Sequence, residues 1–306
     1  MNVENLMTPD SEIAIQVKGL TKSYGKVQAL RGIDLQVQRG EIFGFLGPNG
    51  AGKTTTIRCM LNMIRPDGGK ALLLELDSQT DPVAVQELTG YLPGEMQYYD
   101  NLTSERQLRF FNDMRRGRAE WDYVRQLADR LSLDLKQPIK NLSKGNKQKL
   151  GVIQAVMHKP ELLLLDEPTN GLDPLMQQEV LEVLREANRS GATIFFSSHI
   201  MSEVEEIAGR VGIIRAGEIV EVAETSSLAR RTLNRITVRF KRPVECNGLL
   251  EIPGVTIVAR GDSTSVTLQV TGDMELLVQA LGRMPVLDLE TQRPSLEDAF
   301  LSYYTQ

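Results

Sequence analysis

The strongest constraint on the fold of this chain is one short stretch rich in glycine. It fits the pattern G-x-x-x-x-G-K-[ST] without a gap and reads Gly47-Pro48-Asn49-Gly50-Ala51-Gly52-Lys53-Thr54-Thr55. An apolar run, Ile42 to Leu46, precedes this stretch, and a helix-like segment, Thr56 to Met63, follows it. The order predicts a strand, a glycine loop and a helix.

Each residue type in this loop suits the binding of phosphate. Glycines allow the backbone to turn so that several N–H groups point into one concavity, and the following helix adds the partial positive charge of its N-terminus. The Lys53 ammonium can reach the β- and γ-phosphates of a nucleotide, and the Thr54 hydroxyl can ligate Mg²⁺. A glycine turn without a ligand is the alternative, but strand, loop, Lys-Thr pair and helix together favour phosphate binding.

Length and composition indicate one large domain with a smaller one. The chain has 306 residues, of which 41% are hydrophobic and 25% charged, as in an ordinary globular protein. The longest apolar candidate, Leu162 to Leu165, falls far short of the roughly 18 residues that a membrane-spanning helix needs. The N-terminus lacks the basic flank and apolar centre of a signal peptide, so we expect a cytoplasmic protein.

Net charge and cysteine spacing argue against two further classes. A formal net charge of −5 disfavours a nucleic-acid binder held by bulk electrostatics, so no nucleic-acid partner is expected. Cys59 and Cys246 show no metal-ligand spacing and are interpreted as reduced packing residues. A basic cluster is interpreted as a solvated helix end, with a contact to membrane or nucleic acid as the alternative; it consists of Arg115, Arg116 and Arg118.

The order of apolar runs predicts an α/β fold in two domains. Residues 11–225 alternate strands with helices, as in a parallel sheet covered on both faces, and a helical subdomain is expected at about 81–150. Residues 226–306 predict a small α+β domain with a final helix over residues 295–303. In the first domain, three acidic residues are expected on an exposed helix face: Glu203, Glu205 and Glu206.

An acidic pair follows the most apolar strand. Leu162 to Leu165 leads directly into Asp166 and Glu167, and the carboxyl ends of parallel strands are where α/β sheets bind ligands. Asp166 suits coordination of Mg²⁺, and Glu167 suits polarising an attacking water. A plain strand-end turn before Pro168 is the alternative, which the phosphate loop makes less favourable.

Further segments, in a fixed order, carry a resemblance to a known family. With the phosphate loop and the acidic pair, over about residues 11–225, they resemble the nucleotide-binding subunit of ATP-binding cassette (ABC) transporters. Leu142-Ser143-Lys144-Gly145-Asn146 is similar to the family signature LSGGQ, Gly171-Leu172-Asp173 to its D-loop, His199 to its switch histidine, and Tyr24 to its adenine-stacking aromatic.

This resemblance implies a fold, a reaction and partners. The fold is a P-loop NTPase core of the ABC type with an inserted helical subdomain, and the activity is ATP hydrolysis with Mg²⁺ that drives a separately encoded membrane permease. ATP is sandwiched between two subunits paired head to tail, identical or different, so that Ser143 of one faces the phosphates held by the other. His199 contacts the γ-phosphate and the attacking water, and Tyr24 stacks on adenine. The residues alone also allow Ser143 as a helix cap, His199 as a packing residue and Tyr24 as an exposed turn aromatic.

Two departures from the family pattern concern the reaction centre. The family usually has glutamine where this chain has Gly94, which has no side chain to touch Mg²⁺ or water; Glu95 and Gln97 are possible substitutes. In the signature, Lys144 and Asn146 replace glycine and glutamine. Lys144 either adds positive charge near a phosphate or faces solvent.

The end of the chain narrows the resemblance to one branch. The stretch 293–300, Arg-Pro-Ser-Leu-Glu-Asp-Ala-Phe, is similar to the tail domain of ATPase subunits from bacterial ABC-2-type exporters, which implies export of drugs, antibiotics or lipid-like compounds. Such a subunit would lie on the inner face of the membrane through its permease. Two alternatives stay open: a soluble mechanical ATPase acting on ribosomes or DNA, and a nucleotide-gated subunit with weak hydrolysis, which Gly94 motivates.

Overall fold

The structure consists of two units, each with its own hydrophobic core. The computed structural model describes residues 12–227, 234–244, 247–249, 252–262, 264–270 and 274–292. The first unit is Met1–Glu224 and the second is Thr225–Gln306. Two sequence-based expectations, the final helix at 295–303 and the environment of Cys246, lie outside the described residues.

The first unit alternates strands with helices in chain order. Its strands are β1 (Ile13–Tyr24), β2 (Val27–Gln38), β3 (Ile42–Leu46), β4 (Gly68–Leu73), β5 (Leu76–Asp77), β6 (Thr89–Leu92), β7 (Leu162–Asp166), β8 (Thr193–Ser198), β9 (Arg210–Arg215) and β10 (Glu218–Glu224). Its helices are α1 (Lys53–Met60), α2 (Pro82–Leu88), α3 (Ser104–Met114), α4 (Trp121–Arg130), α5 (Lys144–Val156), α6 (Pro174–Arg189) and α7 (Met201–Ile207).

The central sheet has the strand order β10-β9-β3-β8-β7-β6. Strands β9, β3, β8, β7 and β6 run parallel, and β10 pairs antiparallel with β9. Every residue of β7 and β8 is buried, as expected for strands covered on both faces. Helices α1, α5, α6 and α7 pack against this sheet.

The register of the central sheet brings three strand ends to the same edge. Leu46 at the end of β3 lies opposite Ser198 of β8, and Asp166 at the end of β7 lies opposite Ser197. The loop after β3, the acidic pair after β7 and the turn after β8 therefore meet at one place. This is the carboxyl edge, where parallel sheets place their ligand sites.

A second sheet of the first unit is antiparallel, in the order β2-β1-β4-β5. Its apolar residues, including Ile15, Val17 and Leu73, form one core cluster with Phe43 and residues of the central sheet. The rings of Phe43 and Phe195 stack with centroids 5.7 Å apart in this core. The layer between the two sheets fixes β3, and with it the start of the phosphate loop.

The segment expected as helical at about 81–150 is helical only in part. Helix α2 is followed by β6, which pairs in parallel with β7 and belongs to the central sheet. The run Thr89–Leu92 is too short to show a period, and Gly90 made it less strand-like, so the sequence pattern missed it. Beyond it, α3 and α5 each begin after a capping residue: Thr103 Oγ1 accepts a hydrogen bond from Arg106 N at 3.3 Å, and Ser143 Oγ accepts one from Asn146 N at 3.1 Å.

The prediction that three acidic residues form an exposed face of α7 is wrong for one of them. Glu203 is buried, whereas Glu205 and Glu206 are exposed. Successive helical residues are about 100° apart, so Glu203 and Glu205 point in nearly opposite directions. The shared acidic character of the three residues therefore did not identify a common face.

The second unit contains an antiparallel sheet in the order β12-β13-β11-β14. Its elements are β11 (Asn234–Phe240), β12 (Val255–Arg260), β13 (Ser265–Val270), α8 (Glu275–Leu281) and β14 (Val286–Gln292). Along β13, buried residues alternate with half-buried ones, as the sequence pattern predicts. The core of this unit includes Ile236, Leu268 and Leu277.

Candidate nucleotide site

The phosphate loop connects the end of β3 to the start of α1. Gly52 is the N-cap of α1 with φ 115°, a left-handed conformation that favours glycine. Helix α1 begins at Lys53, and the first backbone N–H groups of a helix have no partner inside the helix. In the remainder of the loop, Asn49 and Gly50 are exposed, Pro48 and Thr55 are half-buried, and Gly47 and Ala51 are buried. The loop thus has the form that the sequence predicts for an anion cradle.

Lys53 points back into this loop. Its side chain is only 5% exposed, and Nζ donates hydrogen bonds to Gly47 O at 2.6 Å and to Pro48 O at 3.3 Å. Nζ also lies 3.4 Å from Glu167 Oε1. The ammonium is therefore held between the loop carbonyls and the acidic pair.

Asp166 is fixed by two hydroxyl groups. Thr54 Oγ1 donates to Asp166 Oδ2 at 2.6 Å, and Ser197 Oγ donates to Asp166 Oδ1 at 2.5 Å. Asp166 is 1% exposed, so these bonds satisfy a carboxylate that would otherwise be costly to bury. Thr54 and Asp166, the two residues predicted for Mg²⁺, are thus in direct contact.

Glu167 extends from the strand end in an unusual backbone conformation. Its φ of 51° is left-handed, which costs of order 1 kcal/mol for a non-glycine residue. Its backbone N–H donates to Ser197 O and Ser197 Oγ, both at 3.1 Å, and these bonds hold the conformation in place. Its carboxylate contacts two side chains: Asn170 Nδ2 lies 3.1 Å from Oε2, and His199 Nδ1 lies 3.1 Å from Oε1.

We call the residues that meet at this edge the strand-end cluster: Lys53, Thr54, Asp166, Glu167 and His199. The His199 side chain is 43% exposed, so the cluster opens to solvent on one side. Two positively charged or polar nitrogens and two carboxylates converge within hydrogen-bond reach of one another. Such an arrangement can bind phosphate oxygens, oxygen-ligated cations and a polarised water.

Sequence reasoning missed residues that hold this cluster. Ser197 bonds both acidic residues, Asn170 bonds Glu167, and Gln148 Nε2 donates to Glu167 O at 2.9 Å and to Pro168 O at 3.0 Å. Ser197 could have been found, because it lies at the carboxyl end of a predicted parallel strand next to the one that carries Asp166. Gln148 had no such signal, since it reaches the cluster from α5.

A second group of residues lies at two helix starts, and we call it the helix-start surface: Ser143, Lys144 and Asp173. Ser143 Oγ caps α5 by accepting from Asn146 N at 3.1 Å, and Asp173 Oδ1 caps α6 by accepting from Met176 N at 3.1 Å. All three residues are exposed. A Cβ on Gly145 would lie 3.0 Å from Gly171 O, so the signature and the D-loop are packed against each other.

Other sequence-predicted residues lie apart from these contacts. Leu142 is buried before α5, and Tyr24 ends β1 with 48% exposure, its ring centroid 5.8 Å from Lys22 Nζ. Both alternatives for Tyr24, the adenine platform and the surface aromatic, are compatible with that exposure.

Gly94 lies directly against the strand-end cluster. A Cβ at this position would be 2.8 Å from Asp166 Oδ2, closer than real side chains approach. Glu95 and Gln97, its possible substitutes, are exposed. Nearby, burial and then the charge of Asp166 raise the pKa of Tyr91 against the lowering effect of Arg58. At the position where the family usually has glutamine, the backbone therefore lies directly against Asp166, and a side chain there would require a shift of its neighbours.

The fold and this site define a nucleotide-hydrolysing α/β protein with a phosphate loop. The sequence model of the family described as "ABC transporter" matches residues 30–170. The chain is 31% identical to the linearmycin resistance ATP-binding protein LnrL of Bacillus subtilis (strain 168), over 94% of this chain and 97% of that protein. It is 36% identical to the bacitracin transport ATP-binding protein BcrA of Enterococcus faecalis, over 72% of each.

A solved structure titled "Structure of ATP binding subunit of ABC transporter" superposes with a TM-score of 0.64 at 30% identity, covering 71% of this chain and 92% of that chain. The chain belongs to the ABC transporter ATP-binding protein family and is an ATPase subunit. The resemblance, the α/β fold and the ATPase activity predicted from the sequence are thereby confirmed. Among the described residues, no helix combines the length and hydrophobicity that crossing a bilayer requires.

Proposed function

We propose that this chain binds ATP with Mg²⁺ at the strand-end cluster, hydrolyses it while paired with a second ATPase subunit, and thereby drives a separate membrane exporter. The observation that carries the proposal is the contact of Lys53 and His199 with one carboxylate oxygen of Glu167, 3.4 Å and 3.1 Å away. A phosphate-binding cation, a carboxylate and an imidazole thus share one point at the mouth of the phosphate loop.

The residues at this point fit Mg²⁺ held together with substrate phosphates. The Thr54 hydroxyl and the Asp166 carboxylate supply only oxygen, which is the ligand type that Mg²⁺ prefers. Within the described part of the chain, no group of three or more His, Cys, Asp or Glu side chains forms a complete metal cage. Bound by these two residues and by phosphate, Mg²⁺ would neutralise charge on the phosphate oxygens.

The chain's own residues divide the chemical work. Backbone N–H groups of the loop beyond Pro48 and of the first turn of α1 cradle the phosphates, and the Lys53 ammonium turns from the loop carbonyls to the phosphate oxygens. Glu167 accepts a hydrogen bond from the attacking water and so orients its lone pair toward phosphorus. His199 Nδ1 contacts Glu167 Oε1, the carboxylate oxygen that Lys53 also approaches, and the imidazole contributes a polar group next to the γ-phosphate.

The helix-start surface supports pairing with a second subunit. Ser143 uses an oxygen lone pair to accept from Asn146 N, which leaves its O–H free to donate. It stands at the N-terminus of α5, where partial positive charge favours a phosphate. We therefore place the Ser143 end of one subunit on the ATP that the other subunit holds, with the adjoining Asp173 loop in the same interface.

A groove on the first unit supports the permease as partner. It encloses about 460 Å³ beside α2, α3 and β6. Apolar and basic residues line its walls together with Glu87; among them are Met63, Val83, Phe111, Met114, Arg115, Arg116 and Arg118. Burial and then the charge of Arg118 lower the pKa of Arg115, whereas Glu87 raises it. Three arginines and one carboxylate, Glu87, line the groove, so its remaining positive charge favours an apolar segment that carries acidic residues. The arginine cluster expected as a plain helix end would then contact the permease on the cytoplasmic side of the membrane.

The cargo class follows from relatives named for linearmycin resistance and bacitracin transport. We infer that the exporter handles drugs, antibiotics or lipid-like compounds, and that the permease selects among them.

The decisive test is Glu167→Gln in the full-length chain. ATP binding is expected to stay within about threefold, while turnover falls at least about hundredfold, because the amide no longer accepts the water proton as a carboxylate does. ATP with Mg²⁺ should then hold the variant as a dimer on size-exclusion chromatography. Turnover close to that of the unmodified chain would remove Glu167 from its role.

Gly94 favours a second candidate, a subunit with slow hydrolysis that acts mainly by nucleotide-gated pairing. The same assay separates the two, measured with the permease in lipid. Robust Mg²⁺-dependent turnover in the unmodified chain supports the exporter ATPase, and pairing with negligible turnover supports the gated subunit.

A further inference from the structure

Glu203 is an acidic residue buried beneath the strand-end cluster. It lies in the first turn of α7 and is 4% exposed. Both carboxylate oxygens accept hydrogen bonds: Oε1 from Thr169 Oγ1, and Oε2 from Ser198 Oγ at 2.7 Å. A buried carboxylate is expensive unless it is satisfied in this way, so its position is well defined.

One of these two hydroxyls, Ser198 Oγ, stabilises the turn that carries His199. Besides donating to Glu203, it accepts a hydrogen bond from Ile200 N at 2.9 Å. The backbone on both sides of His199 is therefore fixed by one side chain, and Glu203 orients that side chain.

The other hydroxyl, Thr169 Oγ1, belongs to the turn that follows Glu167. Around Thr169, Asn170 N donates to Glu167 O at 3.1 Å and Leu172 N donates to Thr169 O at 3.1 Å. This turn also supplies the Asn170 side chain that bonds Glu167 Oε2 at 3.1 Å, and it leads into Asp173. A displacement of Thr169 would therefore move the partner of Glu167.

We propose that Glu203 is a positioning residue for ATP hydrolysis. By accepting hydrogen bonds from Thr169 and Ser198, it sets the distance between the turn that follows Glu167 and the turn that carries His199. This inference rests on the proposed roles of Glu167 and His199. The contact that it protects is the 3.1 Å approach of His199 Nδ1 to Glu167 Oε1. Glu203 acts through its two hydroxyl partners and has no contact of its own with the substrate.

The test compares substitutions that separate the hydrogen bond from packing. Thr169→Val keeps the shape and loses the hydroxyl, whereas Thr169→Ser keeps the hydroxyl and loses a methyl. In the full-length chain with Mg²⁺ and ATP, Thr169→Val and Glu203→Gln are expected to lower kcat about tenfold with KM for ATP within about threefold. Thr169→Ser should retain most of the turnover. Glu205→Gln removes a charge from the exposed side of the same helix and serves as the matched control.

A double substitution tests whether the two residues act as one link. Thr169→Val combined with Glu203→Gln should be little worse than either change alone, because both remove the same connection. Thermal melting shows whether each variant is folded under assay conditions. Independent, multiplying losses would overturn the proposal, and so would a Thr169→Ser variant that is worse than Thr169→Val, since that order indicates packing.

The proposal and the function on which it rests fail in different ways. If Glu167→Gln retains full turnover, the assigned centre is wrong. If Glu167→Gln is inactive while Thr169→Val and Glu203→Gln keep full kcat, the centre stands and the positioning role of Glu203 is wrong.

Discussion

The strand-end cluster and the helix-start surface differ in where their partners lie. Backbone carbonyls of the phosphate loop hold Lys53. Asp166 and Glu167 are held by side chains from β8, from the turn before α6 and from Thr54 at the start of α1. Ser143 and Asp173 accept hydrogen bonds from the first turns of their own helices and face solvent. The first region is assembled within one chain, whereas the second presents polar groups outward. The difference agrees with the proposal that one chain captures ATP and that a second chain completes the reaction centre.

The largest effect is expected from a substitution in the strand-end cluster. Lys53→Ala removes the only side-chain cation of the phosphate loop and leaves Glu167 without its neighbour at 3.4 Å. We expect ATP affinity to fall at least about hundredfold, as for other losses of a buried charge partner. Titration with a fluorescent ATP analogue measures this affinity, and Lys70→Ala, at an exposed position of β4, is the control. Unchanged affinity would show that the cluster is not the binding site.

The next prediction concerns the pH dependence of stability, through the buried His158 that follows α5. Burial, followed by Arg115, lowers the pKa of His158 to about 4 from 6.5, against a smaller raising effect from Thr89. Between these two pKa values the His158 imidazole is protonated in the unfolded chain but neutral in the folded chain. The contribution of neutral His158 to the free energy of unfolding is therefore complete above pH 6.5 and is lost as the pH falls toward 4. Between pH 7 and pH 5 this costs about 2 kcal/mol.

Urea midpoints at the two pH values, for His158→Leu and the unmodified chain, measure this loss. The variant should lack most of it. His199→Leu is the matched control, because His199 is the other histidine of the sequence and its side chain is 43% exposed. An equal acid loss in His158→Leu would contradict the assignment.

A substitution of Ser143 tests the role of the helix-start surface. Ser143→Ala should leave ATP affinity of the single chain unchanged, yet weaken ATP-dependent pairing and turnover about tenfold, because a charge-assisted hydrogen bond to phosphate is lost. Loss of the helix cap also lowers stability by about 1 kcal/mol. Thr103→Ala removes a comparable cap from α3 and should match the stability loss without the effect on pairing. If both variants pair normally, the helix-start surface is not part of the ATP sandwich.

The smallest effect is expected at the groove beside α2, α3 and β6. Arg116→Glu should reduce permease-stimulated hydrolysis roughly threefold and leave the basal rate unaltered, since exposed charge pairs contribute little each. Arg125→Glu is the control: both arginines are largely exposed, at 82% and 61%, and each has one acidic neighbour. Equal stimulation in both variants would exclude the groove as the docking site.

Local sequence patterns predicted the parts of the site that lie along one segment. The phosphate loop, the Asp166-Glu167 pair and the capping serine each combine residue type with a short spacing, so strand, loop and helix starts could be placed from them. The parallel sheet followed from apolar runs with no polar face, as in β7.

Contacts between distant segments could not be predicted in the same way. Ser197, Gln148 and Glu203 reach the acidic pair or its turns from β8, α5 and α7, and their roles depend on sheet register and helix rotation. Strand β6 was missed because a run of only four residues shows no period. Gly94 was recognised as a departure, but its contact with Asp166 appears only once β6 and β7 are side by side.

Lys144 shows why converting an unusual signature to its common form is not a neutral repair. The stem of Lys144 lies 3.4 Å from where a Gly171 Cβ would be, and Nζ reaches Asn170 Oδ1 at 3.4 Å, on the same amide side chain that bonds Glu167. A glycine at residue 144 would remove this brace and loosen the first turn of α5. Engineering toward the family consensus at this position should therefore be paired with a compensating change in the 170–171 turn.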